Sequence, residues 1–202
     1  FSILLSEKTP IKIIELTKRD LTPPFHYLLL HYWMLIFGSI EIAARSLSFI
    51  FHLLTAMVVF FIVRKLIKST ISQILIPLTV LLNPFLLQYA FEARTYSLVA
   101  FLTVLTVYFV LIKKNFLAGI VLAFGIFTHN FGVFNFIAFA SWWFYANINK
   151  LKIKEGLMLL GFPILAILLW GSVIWNQWTK IAGGFWIKQA TSSIFLHSFE
   201  MY

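Results

Sequence analysis

Residues 42–63, IAARSLSFIFHLLTAMVVFFIV, indicate the fold most directly. This stretch carries one charged side chain, Arg45, close to its beginning, and Arg64, Lys65 and Lys68 follow directly after it. A helix that crosses a bilayer needs about 20 mostly apolar residues, and Lys and Arg collect beyond its cytoplasmic end. The stretch therefore predicts a transmembrane helix.

The composition of the whole chain predicts the same surroundings. Of the 202 residues, 61% are hydrophobic and 11% are charged, and the mean hydropathy is +0.92. A soluble domain carries about a quarter charged residues. The net charge of +9 is spread between apolar runs instead of being clustered on a soluble surface, so we expect no nucleic-acid partner. Without cysteine, the chain has no disulfides, thiolate metal sites or cysteine nucleophiles.

Further apolar runs outside the first span predict an all-α, polytopic transmembrane helical bundle with interfacial helices in the first outer loop. We place about six transmembrane helices within 41–175, between an outer juxtamembrane segment at 1–40 and the start of an outer loop at 176–202. All of 1–202 is treated as one partial domain. The predicted spans after the first are 71–89, bent at Pro77 and at Asn83-Pro84, then 95–112, two short helices within 116–146 split at 128–130, and 156–175. Helical patterns at 11–19 and 25–37 predict the interfacial helices.

The charges divide between the two ends of these spans. Short loops hold eight basic residues, Arg64, Lys65, Lys68, Lys113, Lys114, Lys150, Lys152 and Lys154, with only Glu155 as a nearby acid. The positive-inside rule makes that face cytoplasmic. The other face holds Glu7, Glu15, Asp20, Glu41, Glu92 and Glu200. A membrane-interface enzyme needs a carboxylate base, a basic group for phosphate and an apolar groove for lipid, and this outer face offers all three.

Four motifs in this order resemble a family of membrane enzymes. They are TPPFHYLLLHYW at 22–33 with Phe37-Gly38, Glu41 and Arg45, then NPF at 83–85 with EARTYS at 92–97, THNF at 128–131, and FWI at 185–187. The set resembles lipid-linked C-type glycosyltransferases of the protein O-mannosyltransferase and aminoarabinose transferase type, the glycosyltransferase family 39-like superfamily. The chain departs from the family at Thr22, where the family usually has His. The family's first-loop Asp-Glu pair would precede Phe1, so we expect this piece alone to be inactive.

The resemblance implies transfer of a sugar from a polyprenyl-phosphate donor to an acceptor at the outer face of a prokaryotic cell membrane. It implies catalytic roles for Asp20 and Glu92. The implied substrate-binding residues are Arg94, Tyr96, His26, Tyr27, Arg45 and His129. A divalent cation stays open as a cofactor because several enzymes of this class use one, although no tight ligand spacing occurs in the sequence. The expected partners are the lipid-linked donor, membrane lipids and an acceptor that is a protein, a lipid or a glycan.

Each candidate also has a plainer interpretation. Asp20 could be a solvated loop acid or a helix cap, and Glu92 could pair with Arg94 or Arg45 simply to hold helices. His129 could satisfy backbone groups freed by a helix break. His26 and Tyr27 fit an interfacial aromatic belt, together with His31 and Trp33, and His52 is expected to bond a neighbouring helix. The alternative functions are a multi-pass transporter or lipid flippase, and a non-catalytic scaffold.

Overall fold

Ten helices make up the regular structure in the computed structural model, which describes residues 1–149 and 152–182. No strand occurs within these residues. The helices are α1 (Ser2–Ser6), α2 (Pro10–Thr17), α3 (Phe25–Phe37), α4 (Glu41–Leu66), α5 (Thr70–Leu81), α6 (Pro84–Ala90), α7 (Tyr96–Leu111), α8 (Asn115–Thr128), α9 (Gly132–Ala146) and α10 (Ile153–Ala182). The all-helical fold class is therefore confirmed for the described residues, whereas the predicted motif at 185–187 lies outside them.

Two helices, α4 and α10, are long and apolar enough to cross a membrane. The pair α5 and α6 would make a third if it is one span broken by a bend of 54°. Helices α7 and α8 are apolar but shorter than 18 residues, because turns end them early. The structure thus supports two or three possible spans, fewer than the six predicted. Apolar side chains also cover much of the exterior, and α5 has no buried residue at all.

Breaks between helices fall where proline removes a backbone N–H donor or where the chain makes a tight turn. The Asn83 side chain caps α6 by accepting from Leu86 N at 3.1 Å, and Pro84 fills the first helical position, where its missing N–H costs nothing. His52 Nε2 lies 2.9 Å from Leu81 O, so it reaches a carbonyl at the broken end of α5. That contact confirms the expected bond from His52 to a neighbouring helix. Helix α5 continues through Pro77, where a bend was predicted.

Helix α3 agrees with its predicted bounds at both ends. It begins at Phe25, directly after Pro24, and it ends at Gly38, whose φ of +88° is a conformation that glycine adopts readily. Its Leu30 packs with Ala44 and Leu47 of α4 in a small core. Phe25 stacks on Phe124 of α8 with ring centroids 4.5 Å apart. Helix α3 is therefore held against both α4 and α8.

Helix α10 differs most from its prediction. It extends to Ala182, seven residues past the predicted end at 175, so positions 176–182 are helical instead of beginning a loop. Gly119 of α8 lies directly against the carbonyl of Met158, which lets α8 and α10 approach closely. Ile126 of α8 and Trp170 of α10 share a buried cluster further along. The extra turns of α10 bring new side chains to the site described below.

From α4 to α10 the chain runs back and forth between two ends, and α5 and α6 together make one pass. The starts of α4, α7 and α9 lie at one end with the finishes of α6, α8 and α10, and we call this the cavity end. The opposite end holds Arg64, Lys65, Lys68, Lys113, Lys114, Lys152 and Lys154, and we call it the basic end. Helix α4 alone, with 26 residues, separates the two by roughly 39 Å.

Candidate functional site

A large open cavity of about 1160 Å³ lies at the cavity end. Its lining comes from six separate parts of the chain, which are α1, the loop before α3 with the start of α3, the start of α4, the turn before α7, the α8–α9 break and the last turns of α10. The lining residues are Phe1, Ser2, Ile3, Asp20, Leu21, Thr22, Tyr27, Glu41, Arg45, Glu92, Ala93, Arg94, Thr95, Tyr96, His129, Asn130, Phe131, Phe134 and Trp178.

The cavity brings together seven of the eight site residues that the sequence predicted. They are Asp20, Tyr27, Arg45, Glu92, Arg94, Tyr96 and His129. Helix reversal accounts for this grouping, because every segment that carries one of them ends or begins at the same side of the bundle. The eighth, His26, is not among the lining residues.

Asp20 lies in the loop between α2 and α3 at the end of a short hydrogen-bond chain. The Tyr27 hydroxyl donates to Thr22 Oγ1 at 3.2 Å, and the Thr22 hydroxyl donates to Asp20 Oδ2, also at 3.2 Å. Burial raises the pKa of Tyr27, and the nearby negative charge of Asp20 raises it too, although the bond to Thr22 opposes both. Thr22, the departure from the family pattern, thus orients the carboxylate itself.

Among the described residues, Asp20 differs from the other two carboxylates of the cavity in having no basic partner. Glu41 forms an ion pair with Arg45, and Glu92 Oε2 lies 3.7 Å from Arg94 Nε. Within residues 1–149 and 152–182, no Lys, Arg or His nitrogen approaches Asp20 within 4.0 Å. Glu92 therefore pairs with Arg94 and not with Arg45, whereas Asp20 keeps an oxygen available for another proton.

Glu92 and Arg94 are held by a tight turn between α6 and α7. Arg94 N donates to Glu92 O at 2.8 Å, and Ser48 of α4 donates to Arg94 O at 3.4 Å. Ala93, between them, packs against the core that α3 and α4 share. Both charged side chains remain open to solvent, and their ion pair has Arg94 Nε 3.7 Å from Glu92 Oε2. This distance is too long for a hydrogen bond, and the Arg94 guanidinium donates none in the described part of the chain, so its N–H groups are available to an anion.

A connected series of aromatic side chains forms another part of the cavity lining. Ring centroids are 5.6 Å apart for Tyr96 and His129, 4.7 Å for His129 and Phe131, and 6.1 Å for both Phe131 with Phe134 and Phe134 with Trp178. We call these five residues the aromatic wall. The cavity thus joins a charged side to an aromatic one, which suits an amphipathic molecule that has a polar head and an apolar body.

His129 has a defined protonation state at the start of this wall. Its Nδ1 accepts a hydrogen bond from Phe131 N at 3.1 Å, so that nitrogen carries no proton. Burial lowers the pKa of His129, which also favours the neutral ring. The residue satisfies a backbone donor at the α8–α9 break, as the plainer interpretation expected, and it lines the cavity as well.

The α8–α9 break is itself closely packed. The Cα of Gly132 lies against the carbonyl of Gly125, so a side chain at this position would collide with backbone. Glycine here allows α9 to fold back directly from the end of α8, and it places His129 and Phe131 in the tip of the turn.

His26 lies behind the cavity and has 1% of its surface exposed. Neither ring nitrogen has a hydrogen-bond partner of normal geometry among the described residues. Burial lowers the pKa of His26 to about 4, against the opposing influence of the Ala93 backbone. The ring is therefore neutral at pH 7 and lies next to the backbone of Ala93, in the turn that carries Glu92 and Arg94.

Sequence reasoning missed several residues of the site. Phe134 and Trp178 complete the aromatic wall, and Asn130 joins Gln177 in a buried polar network beside it. Asn130 lies within the THNF motif, which offered a signal for its location but not for its role. Gln177 and Trp178 had none, because they fall beyond the predicted end of the last span.

No three His, Asp or Glu side chains in residues 1–149 and 152–182 are grouped closely enough to hold a metal ion. The described carboxylates of the cavity are instead paired with arginine or bonded to a hydroxyl. The described residues alone therefore do not supply a three-ligand metal site, and no chemistry below is assigned to one. Comparisons with protein-family models, curated proteins and solved structures found no match for this chain.

Proposed function

We propose that this chain is part of a membrane glycosyltransferase that moves a sugar from a polyprenyl-phosphate donor to an acceptor at the extracytoplasmic face. The observation that carries the proposal is the cavity, which gathers Asp20, Arg94 and His129 from segments up to 109 residues apart in the sequence. The motif resemblance selected these residues independently of their spatial arrangement. Their grouping in one cavity supports the same function.

The membrane arrangement belongs to this proposal. We propose a multi-pass bundle in which α4, the α5–α6 pair, α7, α8, α9 and α10 all lie within or across the bilayer. The basic end would face the cytoplasm, because cations concentrate there beside the helix ends. The cavity end would face outward in a prokaryotic cell membrane. The apolar exterior of α5 and of much of α10 supports lipid around these helices.

The proposed reaction is a direct displacement at the anomeric carbon of the donor sugar. The acceptor oxygen forms a bond to that carbon while the bond from the carbon to the phosphate oxygen breaks. The phosphate leaves with the electron pair, and the acceptor's proton passes to the Asp20 carboxylate as general base. Arg94 is suited to the leaving phosphate because a guanidinium can bond two oxygens at once. Because hydrogen bonds hold the backbone of Arg94 in the turn, the positive charge is near its place before the reaction begins.

Asp20 is the stronger candidate for the base than Glu92. A carboxylate that is already paired with a guanidinium gives up that stabilisation when it is protonated, whereas Asp20 has no such partner among the described residues. Thr22 and Tyr27 orient one oxygen of Asp20 and leave the other for the acceptor hydroxyl. Glu92 is better suited to hold Arg94 in position.

The charge distribution favours an enzyme over a transporter or flippase. Transport through the membrane usually leaves ionisable residues in the middle of spanning helices. In α4 and α10, the charged side chains lie within two turns of a helix end. The buried polar groups further inside α4 and α7 are the hydroxyls of Ser48, Thr55 and Thr106 and the imidazole of His52. The charged groups are thus concentrated at the two boundaries.

Substitution of the two carboxylates in the full-length protein tests the proposal. We expect Asp20→Asn to lower transfer of a radiolabelled sugar from its polyprenyl-phosphate donor by about 10²- to 10⁴-fold, which is the usual contribution of a general base. Glu92→Gln should cause a smaller loss. Glu155→Gln is the matched control, because Glu155 is an exposed, ion-paired acid at the basic end. Unchanged turnover in both cavity variants would refute the site.

Chemical labelling tests the orientation separately. Since the chain has no cysteine, single Cys residues at positions 92 and 113 can be compared in intact cells with a membrane-impermeant maleimide. We expect Glu92→Cys to react from outside and Lys113→Cys to react only after the membrane is opened. Reaction of both from the same side would contradict a cavity on one face and basic loops on the other.

A further inference from the structure

A buried polar network connects the Asp20 loop to two distant helices. Gln177 of α10 donates from Nε2 to Thr17 O at 3.1 Å. Asn130, at the α8–α9 break, donates from Nδ2 to Leu21 O at 3.0 Å and to Gln177 Oε1 at 3.2 Å. Gln177 is 1% exposed and Asn130 is 7% exposed. We call Asn130 and Gln177, with the two carbonyls that they bond, the latch.

The orientation of both amide groups follows from their partners. A backbone carbonyl can only accept, so the nitrogen of Gln177 must face Thr17 and the nitrogen of Asn130 must face Leu21. This leaves Gln177 Oε1 to accept the second hydrogen of Asn130. The arrangement uses both hydrogens of Asn130 and leaves its Oδ1 buried without a partner among the described residues. Its donors therefore determine how the side chain lies.

The latch holds the chain on both sides of Asp20. Thr17 ends α2 and Leu21 follows Asp20 directly, so the two fixed carbonyls enclose the three residues 18–20. Within this loop, the backbone nitrogens of Arg19 and Asp20 bond only to Leu16 O. These local bonds complete the last turn of α2 but do not attach the loop to the rest of the protein. The attachment across the cavity comes from α10 and the α8–α9 break.

We propose that Asn130 and Gln177 are positioning residues, which hold the Asp20 carboxylate at its place in the cavity without touching substrate through their own amide groups. The role in catalysis rests on the proposed function, in which Asp20 is the base. The physical role, attachment of the loop, does not. Loss of the latch should release the loop while the helices stay packed, because Ile126, Ala166 and Trp170 hold α8 against α10 elsewhere.

Thiol labelling measures this attachment without any assay of activity. Thr17 is fully buried, so Thr17→Cys in the full-length protein can react with a maleimide only when the loop and the end of α2 open. We expect Gln177→Met, which keeps the side-chain length but removes both polar atoms, to raise the labelling rate about tenfold. Asn130→Leu is the second variant and should act in the same direction.

Thr106→Cys is the matched reporter for general loosening. Thr106 is also fully buried, and like Thr17 it bonds the carbonyl four residues earlier, here Leu102 O at 2.8 Å. It lies in α7, away from the latch. Gln73→Met supplies the matched control substitution, because Gln73 also bonds a carbonyl through its amide, that of Ile67, but at the exposed start of α5. The labelling rate of Thr106→Cys should change by no more than about twofold when Gln177→Met is added. The labelling rate of Thr17→Cys should likewise change by no more than about twofold when Gln73→Met is added.

Sugar transfer then connects the latch to the proposed reaction. We expect Gln177→Met to lower kcat about tenfold with KM for the donor within about twofold, and to cause no further loss when Asp20→Asn is already present. Unchanged labelling at Thr17 would overturn the latch. Suppose that Gln177→Met speeds labelling at Thr17→Cys but leaves kcat unchanged, while Asp20→Asn still lowers sugar transfer strongly. That result would overturn the positioning role of the latch. If Asp20→Asn is also without effect, the proposed function falls and the attachment of the loop stands.

Discussion

The two ends of the molecule hold their polar groups in different ways. At the basic end, contacts are local and exposed, as in the Lys152–Glu155 pair at 3.4 Å and the bond from Gln73 to Ile67 O at 2.8 Å. At the cavity end, buried amides join residues 109 and 160 positions apart, from Asn130 to Leu21 and from Gln177 to Thr17. Exposed local pairs contribute little and tolerate change, whereas a buried polar group without its partner costs about 1–3 kcal/mol.

Side chains must be placed more precisely at the cavity end than at the basic end. Solvent can replace any partner at the basic end, so the location of a lysine there needs only to be approximate. At the cavity end, loops from both halves of the chain have to meet, and long-range bonds fix them. We therefore expect equivalent substitutions to have unequal effects at the two ends. Three tests follow, in order of decreasing effect.

Arg94 should show the largest contrast. We expect Arg94→Gln to reduce kcat/KM for sugar transfer by about 10²- to 10³-fold, because it removes the charge that meets the leaving phosphate. Its counterpart at the basic end is Arg64, which lies 5.7 Å from the ring centroid of Phe60 and has no carboxylate partner within 4.0 Å in residues 1–149 and 152–182. Arg64→Gln should leave kcat/KM within about twofold. Equal losses of kcat/KM in the two variants would mean that the net charge of the protein matters, and not the charge at the cavity.

The sequence predicted the helices better than it predicted how they meet. Periodicity and apolar length placed α3 and α4 within a few residues, because burial and helix geometry leave a local pattern. Turn chemistry at Asn83-Pro84 and at 128–130 also located both breaks. The extension of α10 to Ala182 was missed because polar residues such as Asn176 and Gln177 lower the local hydropathy, although Gln177 is buried by a contact made 160 residues away.

The same reasoning explains the uneven prediction of the site. Seven of the eight predicted site residues line the cavity, since they lie at or near helix ends that topology brings together. His26 belongs to the same motifs but points away from the lining, because a helix that sets Tyr27 at the cavity turns the preceding residue into the core. The bounds predicted for 95–112 and for the two short helices within 116–146 agree closely with α7, α8 and α9. Each of these helices is shorter than 18 residues, so length and composition alone do not identify it as a span.

His26 provides the second test, through pH. Its pKa is about 4 in the folded protein and 6.5 as the ordinary value, so the unfolded chain binds a proton first as the pH falls. The contribution of neutral His26 to the free energy of unfolding is therefore fully present above about pH 6.5. It is lost progressively as the pH falls to 4, by about 3 kcal/mol in all. Thermal unfolding of the purified protein between pH 7 and pH 4 measures it.

His26→Leu is the matched variant for this test. It fills a similar volume and removes two buried nitrogens that have no partner among the described residues, so stability at pH 7 should change little or rise. The fall in stability between pH 6.5 and pH 4 should shrink by the same 3 kcal/mol, apart from the titration of the carboxylates. An unchanged pH dependence would show that His26 is not protected from protonation at the cavity end.

The smallest contrast concerns two tyrosine hydroxyls. Tyr27 donates to Thr22, which in turn donates to Asp20, so Tyr27→Phe removes a group one step away from the carboxylate. We expect sugar transfer to fall about threefold, less than the roughly tenfold loss from Thr22→Val, which removes the hydrogen bond to Asp20 itself. Tyr108 near the basic end is the control, since its hydroxyl makes no hydrogen bond within the described residues, and Tyr108→Phe should leave transfer unchanged. The order of the three effects is decisive. In a series of hydrogen bonds that ends on the Asp20 carboxylate, each further step away should reduce the effect of a substitution on sugar transfer. If Tyr27→Phe equals or exceeds Thr22→Val, the hydroxyl of Tyr27 acts on the substrate directly and not through Asp20.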